Sequence, residues 1–177
     1  MKRTYSVLIL LIIVSSVLGQ GPKRIVPFVT QKLQVTLPLI GGKTDSVMMI
    51  MNNIGNITSR SVDSMLKTST YVISNGDQTI NLEMKDESGY IQIQKYQITF
   101  KVGSDALNAR GNCLQAIKKI YKLGKKVDYA LSSDLIQLFS NKQYSGVMIY
   151  SEAKRNIVIS IAPLDEKDKQ KAKKNKK

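Results

Sequence analysis

The chain has 177 residues, 27 Lys plus Arg against 13 Asp plus Glu, a formal charge of +14, one cysteine and no histidine. Lack of histidine excludes His-based acid–base catalysis, Ser–His and Cys–His nucleophiles and His-ligated metal sites. A single cysteine excludes an intrachain disulfide and a structural zinc site built on cysteines.

Residues 1–19 carry a basic start (Lys2, Arg3) and an apolar run from Val7 to Leu18, ending in the small residue Gly19. This pattern is expected of a secretory signal peptide cut after Gly19. The run is short for a membrane span, which needs about 20 residues. The expectation is a secreted, extracellular chain beginning at Gln20, with residues 20–31 as an extended N-terminal arm, 32–163 as one domain and 164–177 as a disordered lysine-rich tail.

Leu33, Val35, Leu37 and Leu39 alternate with Lys32, Gln34, Thr36 and Pro38, which predicts a half-buried strand placed at an edge by its proline. GGKTDS breaks the chain. Over residues 46–54 the spacing of Val47, Ile50, Met51 and Ile54 favours a helix, with a strand as the alternative. Asn56-Ile57-Thr58 is a glycosylation sequon, given weight by the leader in front of it. RSVDSMLK (60–67) is expected to form a short helix.

Asn75-Gly76 lies between YVIS and DQTINLEMK and predicts a two-residue hairpin turn. Pairing outward sets Ile73 opposite Gln78 and Tyr71 opposite Ile80. The DESG loop then sets Met84 opposite Ile91 and Leu82 opposite Ile93. One face therefore collects Tyr71, Ile73, Ile80, Leu82, Met84, Ile91 and Ile93, in a three-stranded meander. The apolar phase flips after Ile93, because Tyr96, Ile98 and Phe100 fall on even positions, so a bulge is expected at Gln94–Lys95.

An amphipathic helix follows Gly103, with Cys113, Leu114, Ile117, Ile120 and Tyr121 on its apolar arc and Gly124 as its stop. Cys113 is expected to be a buried apolar filler. SSDLIQLFSN (132–141) predicts another short helix. YSGVMIYS and NIVISIAP predict a closing hairpin with apolar residues on both faces, hence strands covered on both sides. The sequence contains no internal repeat. The fold class is α+β, a mostly antiparallel sheet (meander, C-terminal hairpin and edge strand) with helices packed on it.

Of the +14, the leader supplies +2 and residues 163–177 supply +4, which leaves +8 on residues 20–162. Lys118, Lys119, Lys122, Lys125 and Lys126 form a dense basic stripe, placed by the helical reading opposite the apolar arc. No phosphate loop, metal ligand set or cofactor motif is present, and carboxylates are scattered. The expected function is non-enzymatic binding of an acidic extracellular partner through that stripe and the tail. Sulfated glycan, acidic matrix or mineral, and anionic membrane qualify; the compartment argues against nucleic acid. A carrier of an apolar small molecule, suggested by the Met-rich 47–66 stretch, and a His-free hydrolase are the alternatives.

Overall fold

A computed structural model describes residues 27–101, 106–128 and 135–164. The expected leader, most of the N-terminal arm and the lysine-rich tail lie outside the described residues. Over the described residues the chain folds as one eight-stranded antiparallel sheet with three helices packed on it. Helix α1 (Phe28–Thr36) runs into a 3-10 turn (Leu37–Leu39), and α2 (Thr44–Asn52) follows. Strands β1 (Ile57–Asp63), β2 (Thr68–Ser74), β3 (Gln78–Glu87) and β4 (Tyr90–Phe100) form the first meander. Helix α3 (Ala106–Lys118) precedes β5 (Lys122–Asp128), β6 (Leu135–Ser140), β7 (Tyr144–Ser151) and β8 (Asn156–Pro163). The strand order, β1-β2-β3-β4-β8-β7-β6-β5, joins two four-stranded meanders through their last strands. Each meander is introduced by helix.

The expected edge strand at 32–40 is instead the end of α1 and the 3-10 turn. Val29, Leu33 and Leu37 recur every four residues and are all buried, whereas Val35 is 43% exposed. A strand would have put Val35 on the same face as Leu33 and Leu37. Pro38 opens the 3-10 turn, where its missing N–H costs nothing. The arm expected over 20–31 likewise gives way to helix from Phe28. Helix α2 agrees with the helical reading of 46–54. Its N-terminus is tied to the β3–β4 turn: the Thr44 hydroxyl donates to Asp86 Oδ2 at 2.5 Å, and Thr44 N donates to Gly89 O at 2.9 Å. The Thr44 hydroxyl and the Gly89 N–H, which donates to Asp86 Oδ1, hold the Asp86 carboxyl below its ordinary range.

The meander is present, with two shifts of register. Ser74 pairs with Thr79 and Ile73 with Ile80, so the loop has four residues and the register moves by two. The Asn75 side chain accepts from the N–H groups of Asp77 and Gln78, and Gly76 supplies the positive φ. A shift of two leaves every side chain on its predicted face, and Tyr71, Ile73, Ile80, Leu82 and Met84 are buried together. The bulge lies two residues earlier than expected: Asp86 pairs with Ile91 but Lys85 with Ile93, which leaves Gln92 as the extra residue. Ile93 thereby turns away from the core and Gln94 turns into it.

Gln94, 0% exposed, forms a buried polar cluster with Thr36 and Tyr96, each 1% exposed. Gln94 Nε2 donates to Thr36 O at 3.1 Å. The Tyr96 hydroxyl stands 3.0 Å from Gln94 Oε1 and 3.1 Å from Thr36 Oγ1, which share its one proton. Thr36 Oγ1 donates in turn to Lys32 O at 3.0 Å. The C-terminal end of α1 is thus bonded to the middle of β4 through buried polar groups that each find a partner.

Two further segments expected as helix are strands. Residues 60–67 enter β1 and the turn after it, where Asp63 Oδ1 accepts from the N–H groups of Met65 and Leu66. Residues 135–140 form β6, with Leu135, Gln137 and Phe139 buried on one face. The closing hairpin has the expected faces, since Met148 pairs with Ile159 and Tyr150 with Ile157. Its second face is not covered by any of the described residues, however. Ile149 and Leu138 are 37% and 44% exposed on the side of the sheet away from the helices.

Gly146 is required by space. A Cβ there would collide with the Phe139 ring and lie 2.6 Å from Ser160 O on the neighbouring strand. Gly146→Ala is expected to destabilise by about 1–3 kcal/mol, the cost typical of overpacking, read as a lower urea midpoint.

Cys113 is a free, fully buried core residue. Cys113→Ser is expected to cost about 1–3 kcal/mol, and the native thiol to resist labelling until the chain unfolds.

Burial pushes the Cys113 thiol from 9.0 up to about 12, and burial with the nearby Tyr144 pushes the Tyr121 phenol from 10.0 up to about 12. Both groups hold their protons more tightly when folded. Their contribution is complete below pH 9.0 and declines as pH rises towards about 12. Thermal melts across that window should show falling stability, with a shallower fall in Cys113→Ala and Tyr121→Phe.

Candidate functional site

The five stripe lysines do not lie on one helix. The helix ends at Lys118, and one 3-10-like turn follows, in which Lys119 N donates to Ala116 O and Ile120 N to Ile117 O. Lys122, Lys125 and Lys126 belong to β5, an edge strand of the sheet. The helix-stop role expected for Gly124 is replaced by a place in a β-bulge, where the β5–β6 register shifts between Leu123 and Lys126. A Cβ on Gly124 would lie 3.5 Å from Leu138 O, so the backbones approach closely there. Gln137, the buried polar residue of β6, bonds both sides of this irregularity: its Nε2 donates to Gly124 O at 3.0 Å and to Leu138 O at 2.8 Å.

The result is a ridge rather than a helix face. Lys118 and Lys119 stand at the C-terminal end of α3, Lys122 begins the edge, and Lys125 and Lys126 continue along it. All five are exposed. At a helix C-terminus the exposed carbonyls favour cations, so Lys118 and Lys119 are partly compensated by the helix itself. The same carbonyls repel an anion. The edge lysines therefore carry more of any attraction for a polyanion than the two at the helix end.

Asn56, the sequon residue, is exposed in the turn before β1, with a φ of 72° that asparagine tolerates well. It lies beside the β1 edge, while the lysine ridge begins at the end of α3 and follows the β5 edge; the fold does not bring the two together. The tail lies outside the described residues.

Other chemistry finds little support in the geometry. No group of three or more His, Cys, Asp or Glu is placed to hold a metal among the described residues. Glu83 pairs with Lys95 at 3.4 Å and Glu87 with Lys85 at 3.5 Å. The core beneath the helices is filled with side chains. A cleft of about 390 Å³ between α1, α3 and the start of β3 is open and is lined half by amides (Gln78, Asn108, Asn112). It lacks the enclosed apolar lining that a carrier of apolar molecules requires. Among the described residues no helix is long and apolar enough to cross a membrane.

The helical reading of 60–67 concealed a second surface. Val62, Met65 and Leu66 are 69%, 95% and 64% exposed on β1 and its turn. They mark an outer edge of the sheet rather than part of the short helix expected over 60–67. Compared with known proteins, the chain matches no protein-family model, no curated protein and no solved structure.

Proposed function

We propose that this is a secreted, non-enzymatic interaction protein that holds an acidic extracellular polymer or surface, such as a sulfated glycan, an acidic matrix or mineral, or an anionic membrane. The observation that supports this reading is the exposure of five lysines within nine residues, Lys118 to Lys126, on one continuous ridge. Charges spaced this closely act together over a Debye length of about 8–10 Å. Lysine supplies compact, hydrated charges on flexible stems and suits diffuse attraction to a polyanion better than fixed bidentate recognition. The tail, with seven lysines and three acids from residue 163 onward, adds a second tethered contact.

The test is retention on a sulfated-glycan column over a salt gradient. Replacing Lys119, Lys122 and Lys125 together by Gln should lower the eluting salt concentration and flatten the salt dependence. Secondary structure and melting temperature should stay unchanged, because all three side chains point to solvent. Deleting residues 165–177 should have a smaller effect, since a segment of that lysine-rich, low-complexity composition is expected to lose conformational freedom on binding whereas the ridge is already ordered. Elution of the triple variant at the parent's salt concentration would reduce the ridge to a solvated edge.

A further inference from the structure

The two edges of the sheet are built differently. An edge strand offers unpaired backbone N–H and C=O groups to any other strand, and natural proteins guard such edges with lysines, bulges or proline. The β5 edge has two of these guards: Lys122, Lys125 and Lys126, and the bulge at Gly124. Antiparallel pairing of β5 with its own copy would bring three lysines along one edge up to three along the other, across a strand whose register is broken by the bulge. The β1 edge is open by comparison. Over Ile57–Asp63 it contains neither lysine nor proline, six of its seven residues are exposed, and its one irregularity is at its start, between Ile57 and Ser59.

We infer that β1 is a self-association edge, pairing antiparallel with β1 of a second copy about a two-fold axis at Ser61. Residues directly opposite in such a pair share a face, so only residues of matching parity can meet. Centred on Ser61, the register sets Arg60 beside Val62 and Ser59 beside Asp63. These are a guanidinium stem over an apolar side chain and a hydroxyl against a carboxylate. Centring on Arg60 would oppose two guanidinium groups.

Charge also selects a second copy as the occupant. A chain of net charge +14 repels itself wherever its lysines face each other. Around β1 the charges balance, with Arg60, Lys67 and Lys85 set against Asp63, Asp86 and Glu87. Arg60 is further held by the Asn52 side chain of α2, and Lys85 by Glu87. The Asp63 side chain holds the backbone of the turn that carries Met65 and Leu66, which are 95% and 64% exposed beside this edge. The inference does not rest on the anion-binding reading, because that ridge begins at the end of α3 and follows the β5 edge.

The experiment uses the full chain carrying Asn56→Asp, so that no glycan stands beside the edge. Light scattering over a range of micromolar concentrations should give about twice the monomer mass, and Ser61→Lys, which puts two ammonium groups across the axis, should return it to monomer. Opposed Cα atoms in an antiparallel pair lie about 4.5–5.5 Å apart, within the span of a disulfide. Ser61→Cys should therefore oxidise rapidly to a covalent dimer, without interference from the buried Cys113. Lys125→Cys on the other edge should not. Monomer mass at every concentration, or equal rates of cross-linking for Ser61→Cys and Lys125→Cys, would overturn the inference. So would a dimer that survives Ser61→Lys.

Discussion

Everything in this molecule depends on the pairing of β4 with β8. Six consecutive residue pairs, from Gln94–Ile161 to Thr99–Asn156, join what would otherwise be two four-stranded sheets with two open edges each. The same pairing aligns Tyr96 with Ile159 and Ile98 with Ile157, so one row of core side chains crosses the junction without a break. The helices then have one continuous apolar surface to cover. The Thr36–Gln94–Tyr96 cluster sits beside that junction and fixes where α1 ends on it. A purely apolar contact would let the helix slide by a fraction of a turn; three buried polar groups satisfied together admit one position.

The sequence was legible wherever alternation was uninterrupted and a face was buried. The meander from Thr68 to Phe100 and the closing hairpin have the expected faces except at Ile93 and Gln94, because a register error of two residues does not change which face a side chain takes whereas a displaced bulge does. Reading failed where a polar residue occupies a core position. Gln94 and Gln137 are both buried, and each is satisfied by a backbone carbonyl that only the tertiary fold supplies. In β6, Gln137 interrupts the apolar series between Leu135 and Phe139, and the remaining spacing resembles a helix. The α1 segment failed for the opposite reason. Leu33, Val35, Leu37 and Leu39 fit a period of two, and only the exposure of Val35 shows that four-residue spacing is the operative one. The repeat of meander architecture was invisible because it resides in backbone topology and not in residue identity.

The candidate site was legible as composition and misread as geometry. The five lysines are where the sequence placed them along the chain, and they are exposed. They were assigned to one helix because Leu114, Ile117 and Tyr121 carry a helical period almost to Lys122. What ends the helix is the requirement of β6 for a partner, met by β5 through a bulge at Gly124. A stripe on a helix would project its charges at alternating angles around a cylinder. A helix end followed by a strand edge instead spreads them along the rim of the sheet, with the strand lysines divided between its two faces.

The uncovered face of the sheet completes the physical picture. Val147 pairs with Leu138, and Ile149 lies between Ile136 and Val158, so an apolar stripe crosses β6, β7 and β8 on the side away from the helices. On β2, β3 and β4 the same face turns polar, through Thr70, Asn81, Glu83, Lys95 and Gln97. Isolated apolar side chains on a solvated sheet are ordinary, and most of this stripe is half-covered by its own neighbours. A face lying within a paired sheet has all its backbone groups bonded to neighbouring strands, and side chains alone decide what it can recruit. An edge offers backbone as well, and there the choice of side chains decides whether that offer is open or closed. Lysine closes it along β5 and simultaneously creates a charged ridge; serine, valine and a lone arginine leave it open along β1.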